Sequence, residues 1–102
     1  MDPASRDLLD GWISGVLARA DHHCGVFIGD DGQPFGPRAR PWDYPDILVS
    51  GGVHDDALVL ELSDGSLRLH GVHDVVPGTH PWGPGLRVTG TIDDVPTEVW
   101  LV

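Results

Sequence analysis

The stretch ALVLELSDGSLRLHGV, residues 57–72, constrains this chain more than any other. Leu58, Leu60 and Leu62 alternate with more polar neighbours, and Leu67 and Leu69 repeat the alternation after Asp64-Gly65. A period of two marks a strand with one buried face. An Asp-Gly pair between two such runs favours a two-residue hairpin turn, whose central positions need positive φ. With Ser63 opposite Ser66, the expected pairs are Leu62 with Leu67 and Leu60 with Leu69 on the core face, and Glu61 with Arg68 on the other. The chain is therefore expected to build an antiparallel sheet.

A second hairpin follows the same logic. Leu86, Val88 and Ile92 lead into Asp93-Asp94, and Val95, Val99 and Leu101 return, which sets Val88 opposite Val99, Leu86 opposite Leu101 and Arg87 opposite Trp100. Strands are expected at about 25–29, 47–53, 57–63, 66–72, 86–92 and 95–102. Residues 34–45 hold four prolines and residues 77–85 hold three. Proline lacks the amide hydrogen of a sheet ladder, so both stretches are expected to be loops.

One helix is expected, over about residues 3–20. Leu8, Leu9, Trp12, Ile13, Val16, Leu17 and Ala20 recur at helical spacing and form one apolar stripe. Asp2 followed by Pro3 has the form of an N-cap and first helical residue, and Gly25 is placed to supply a left-handed stop. The fold class is thus α+β, an N-terminal helix packed on an antiparallel sheet of five or six strands built from sequential hairpins. The expected core is Leu9, Trp12, Ile13, Val16, Leu17, Leu58, Leu60, Leu62, Leu67, Leu69, Val88 and Val99. With 102 residues there is room for one such domain, spanning 1–102.

Composition narrows the function. Sixteen acids against six bases give a formal charge of −10, which repels a phosphate backbone and disfavours nucleic acid as a partner. A protein with a basic surface is the better electrostatic match. No apolar run approaches the roughly 20 residues that span a bilayer. The acidic start of the sequence is unlike a secretory signal, so a cytoplasmic location is expected. All six bases are arginine and fourteen of the acids are aspartate, a bias in keeping with a GC-rich bacterial genome.

The two proline-rich loops carry Arg38, Arg40, Trp42 and Tyr44 in one and His80 and Trp82 in the other. Arginine with aromatics is the composition of protein-binding hot spots, and these six residues are the expected recognition surface. The competing structural role is that Trp42 and Trp82 fold back over the open end of the sheet. The alternative chemistry is a small enzyme or metal-dependent ligand binder drawing on His23, Cys24, His54, His73 and His80. Their spacing argues against it. Adjacent His22 and His23 reach one tetrahedral ion with difficulty, and strand alternation sends His70 and His73 to opposite faces. The clustered Asp30-Asp31 and Asp55-Asp56 lack the pattern of a calcium loop. No cofactor and no catalytic residue is assigned, and a non-enzymatic binding protein is favoured over an enzyme. Gly11, Gly15 and Ala18 make a smooth helix strip that would let a second copy approach as a homodimer.

Overall fold

The computed structural model describes residues 1–28, 33–34, 46–63, 65–81 and 83–102. Helix α1 runs Pro3–Leu17, and eight strands follow: β1 His23–Cys24, β2 Val26–Ile28, β3 Gln33–Pro34, β4 Asp46–His54, β5 Ala57–Leu62, β6 Gly65–His80, β7 Gly83–Ile92 and β8 Val95–Leu101. All pairings are antiparallel, in the order β1-β4-β5-β6-β7-β8-β2-β3. The α+β architecture stands, with more strands than the five or six expected.

The Asp2 carboxylate accepts the Ser5 amide at 2.7 Å and caps the helix, with Pro3 at its first position. The helix stops at Leu17, three residues earlier than expected, as the Arg19 amide bonds to the Val16 carbonyl in a tightened last turn. Gly25 is not the stop. His22 takes the left-handed conformation (φ 54°), and Gly25 lies between β1 and β2.

That position of Gly25 closes the sheet. Its N–H and C=O bond the C=O and N–H of Val102 at 3.0 and 2.8 Å, continuing the β2–β8 ladder. On the opposite edge of the same segment, Cys24 pairs with Asp46 and the His22 carbonyl accepts from Leu48. Residues 23–28 thus join β4 to β8, and the sheet becomes a barrel with α1 packed against β4 and β6.

Alternation sends Leu58, Leu60, Leu62, Leu67, Leu69, Val88 and Val99 inward, where they meet Leu9, Ile13 and Val16 of the helix. Trp12 and Leu17 border this core half-buried. Cys24, Val26, Leu48, Val72, Val75, Leu86 and Leu101 also belong to it. Gly51 brings helix and sheet together: a Cβ there would lie 2.9 Å from Leu60 Cδ2 and 3.5 Å from Ile13.

Three details of the sheet differ from expectation. In the first hairpin Leu60 pairs with Leu67, Leu58 with Leu69 and Val59 with Arg68, a register two residues from the one assigned. Gly65 is not a turn residue; it is the first ladder position, opposite Leu62, and its φ of +138° is one that only glycine takes readily. A shift of two leaves every side chain on its expected face, but Glu61 now accepts a hydrogen bond from Ser66 in place of facing Arg68. The second hairpin has the expected register, and Asp93 and Asp94 at its turn both have positive φ (51° and 64°).

The largest difference is β6, which continues to His80 through a stretch expected to be a loop. Pro77 pairs with Leu86 and Pro84 with Thr79. His80 and Gly83 flank a two-residue turn and so form the hydrogen-bonded pair that closes it. Counting back in twos, Gly78 and Val76 bond to β7, whereas Pro77 directs its missing N–H away from that ladder. Pro84 likewise points away from β6. Prolines fit a strand at such positions.

Candidate functional site

The outer face of β2, β8, β7 and β6 carries a second packed cluster, distinct from the barrel core. One row across it reads Phe27, Trp100, Arg87 and Val76. The next contains Gly25 beside Val102, then Gly85 and Gly78. His80 follows at the end of β6, on the same face as Gly78 and Val76. The missing side chains leave a floor on which the aromatic rings lie. A Cβ on Gly78 would come within 3.0 Å of the Trp100 ring.

The His80 imidazole stacks on Phe27 with ring centroids 4.4 Å apart and planes at 23°, and it lies 5.6 Å from Trp100 in a tilted arrangement. His80 is 8% exposed and Phe27 5%, although both occupy the outer face. Burial pushes the imidazole below its ordinary pKa, because the charged form loses hydration among these rings. His80 is therefore not displayed on a loop as expected; the extension of β6 draws it into a buried stack.

This stack joins Phe27, the ladder partner of Pro34, to the end of β6. Pro34 pairs with Phe27, and residues 35–45, which include Arg38, Arg40, Trp42 and Tyr44, follow it in sequence. His80 immediately precedes Pro81 and Trp82. Arg38, Arg40, Trp42, Tyr44 and Trp82 themselves lie outside the described residues.

The alternative metal set is dispersed. The His23 imidazole lies 3.0 Å from the Asp21 carboxylate. Asp21 is held below the usual carboxylate pKa first by the His23 amide, which it accepts at 3.1 Å. Cys24 is buried in the barrel core and His54 is exposed at the end of β4. His73 is exposed on β6, with Nδ1 3.1 Å from the Gly71 carbonyl oxygen. His80 ends that strand, seven residues further on. Among the described residues, no group of three or more His, Cys, Asp or Glu side chains is placed to hold a metal ion.

A β-bulge overturns the expected separation of His70 and His73. Residues 71–73 of β6 oppose Gly90 alone, with Gly71 at φ +56°. Val72 turns inward while His70 and His73 are both exposed. Around this bend gather the exposed Asp55 and Asp56, whose hairpin bonds back through the Asp56 carbonyl to the Val72 amide, with Asp74 on β6 and Asp93 and Asp94 beyond Thr91.

Phe27 and Trp100 are members of the outer cluster that the hot-spot reading passed over, because both sit in ordinary strand patterns. The sequence also gave no sign of the fully buried Asp46, the ladder partner of Cys24. Nothing distinguishes it from thirteen other aspartates. The chain matches no protein-family model, no curated protein and no solved structure. Among the described residues no helix is long and apolar enough to cross a membrane.

Proposed function

We propose that this chain is a non-enzymatic acidic binding protein that engages a basic protein partner, in the manner of an inhibitor, immunity protein or regulator. The observation that carries the reading is the stack of His80 on Phe27. It packs the end of β6 onto β2, the strands that precede in sequence the stretches holding Trp82 and Arg38, Arg40, Trp42 and Tyr44. Aromatics and arginines are the residue types that dominate hot spots. The charge of −10 supplies long-range attraction to a basic partner and discourages nucleic acid. On this reading the protein works in the cytoplasm of a bacterial cell. The solvent-facing Gly11 and Gly15 of α1, with its C-cap Ala18, leave room for a second copy.

Affinity capture from host lysate, run in parallel with the parent, Trp42→Ala and Trp82→Ala, tests the proposal. The parent is expected to retain one dominant basic protein, with loss of capture in the variants at an unchanged melting temperature. A clean protein with no partner and stoichiometric metal would overturn the reading in favour of the histidines. Collapse of the melting temperature in both variants would assign the two tryptophans to the core.

A further inference from the structure

We infer that the open edge of β6 over residues 73–79 is a docking site for an extended, basic segment of a protein partner, which adds to the sheet as an antiparallel strand. The nature of this occupant rests on the binding function proposed above. The edge itself belongs to the free protein.

Strand β6 changes partner along its length. Residues 65–69 pair with β5, and beyond the bulge residues 74–80 pair with β7. Between these stretches Val72 donates its amide to the Asp56 carbonyl in the β4–β5 turn. From there on β6 has β7 along one edge and, among the described residues, no strand along the other. The register fixes which groups face the open side. His80 and Gly83 close the hairpin, so Gly78, Val76 and Asp74 bond to β7, whereas Val75, Pro77 and Thr79 direct their backbone groups away from it. The open edge thus presents the amides of Val75 and Thr79 and the carbonyls of Val75, Pro77 and Thr79. Asp74, Val76, Pro77 and Thr79 are exposed, which leaves the edge accessible. A row of donors and acceptors at strand spacing is matched by an extended backbone, the mode of recognition known as β-augmentation.

Sheet geometry and charge select the strand. Every pairing in the sheet is antiparallel. An antiparallel strand about 4.8 Å from β6 places the residues opposite Val75, Pro77 and Thr79 on the same side of the sheet as those three. Val75 is buried there, so these positions call for apolar side chains. The alternate positions lie on the outer face beside Asp74 and Val76. Asp74 lines the edge, the exposed Asp55 and Asp56 stand at its start, and Arg87 lies one strand behind, opposite Val76. Lysine or arginine at the outer positions answers the acids. Another copy of this chain is disfavoured by its own charge of −10. Pro77 also withholds the middle donor, so a bound strand must recover through its side chains what the ladder lacks.

The test uses a synthetic probe, an end-capped peptide of alternating lysine and valine about seven residues long. Amide exchange in the full chain is followed by NMR with and without it. In the free protein Val75 and Thr79 are expected to exchange about tenfold faster than Val76 and Gly78, or more. The peptide is expected to protect Val75 and Thr79 and to leave Val76 and Gly78 unchanged. N-methylation of its valines, whose N–H groups would face β6, is expected to weaken binding about tenfold or more. N-methylation of its lysines, whose N–H groups would face solvent, is expected to have little effect, and a glutamate–valine peptide is expected not to bind. The inference is overturned if Val75 and Thr79 are as protected as Val76 and Gly78 in the free protein, or if the lysine–valine peptide leaves their exchange unaltered. It is equally overturned if the valine-methylated or the glutamate–valine peptide binds as well as the parent peptide. Each of these failures removes the docking edge and leaves the capture test of the binding function standing.

Discussion

Gly51 and Leu60 meet where helix α1 rests on the sheet, and the contact decides how close the two layers come. Leu60 is fully buried, and truncating it to alanine is expected to cost about 2–5 kcal/mol through lost transfer energy and the cavity left behind. Gly51→Ala puts a methyl group 2.9 Å from Leu60 Cδ2, the far end of a side chain that can turn aside, at about 1 kcal/mol. The two costs should not add. The alanine at 51 occupies space that Leu60→Ala vacates, so the double variant is expected to be more stable than the sum of the single changes by about 1 kcal/mol. Urea denaturation of the four proteins measures this, and strict additivity would show that a methyl group at position 51 and the Leu60 side chain do not compete for that space. Leu60 was legible in the sequence because alternation exposes a buried position directly. Gly51 was not, since a glycine in a strand reads only as a weakness until the helix above it is known. The Asp2 cap was readable for the same reason as Leu60: it acts within three residues of itself.

Elements whose partners are close in sequence were read well, and the failures are instructive. The β7–β8 hairpin has the expected register because its turn, Asp93-Asp94, supplies both residues of positive φ. The β5–β6 hairpin is off by two because the same Asp-Gly signal fits with the glycine inside the turn or just past it, and hydrophobic alternation cannot separate registers that differ by two. Prolines misled more seriously. They mark a loop only if their missing N–H is needed, and four of them, Pro34, Pro77, Pro84 and Pro96, sit in strands. Pro77 faces the edge of β6 beyond the reach of β5, which pairs only with residues 65–69. There it denies a donor to any strand that would add to that edge. Pro77→Val restores the donor and adds a β-branched side chain. The variant is expected to form larger assemblies than the parent at the same concentration, read by light scattering after size exclusion. An unchanged mass distribution, up to concentrations where the parent begins to associate, would show that the proline has no protective role.

At the scale of the whole molecule, barrel closure was not readable, because it depends on one six-residue segment pairing with β4 on one edge and β8 on the other. The candidate site suffered the same fate: Phe27, His80 and Trp100 are brought together only by that closure and by the length of β6. Charge, by contrast, is a property the sequence yields at once, and the fold gives it a length scale. The Cα radius of gyration is 12.3 Å. The Debye length is about 30 Å at 0.01 M salt and about 10 Å at 0.1 M. At the lower salt nearly every acid therefore feels every other across the molecule, whereas at the higher salt repulsion is confined to neighbours such as Asp55 with Asp56 and Asp93 with Asp94. A net charge of −10 confined to this radius opposes compaction, so the melting temperature is expected to rise as salt increases over that interval and to level off beyond it. Attraction to a basic partner is screened over the same interval, so capture should weaken while the fold strengthens. Opposite slopes in the two measurements would trace both effects to one field. If the melting temperature is flat while capture falls, the acids act on the partner locally and their mutual repulsion costs the fold nothing.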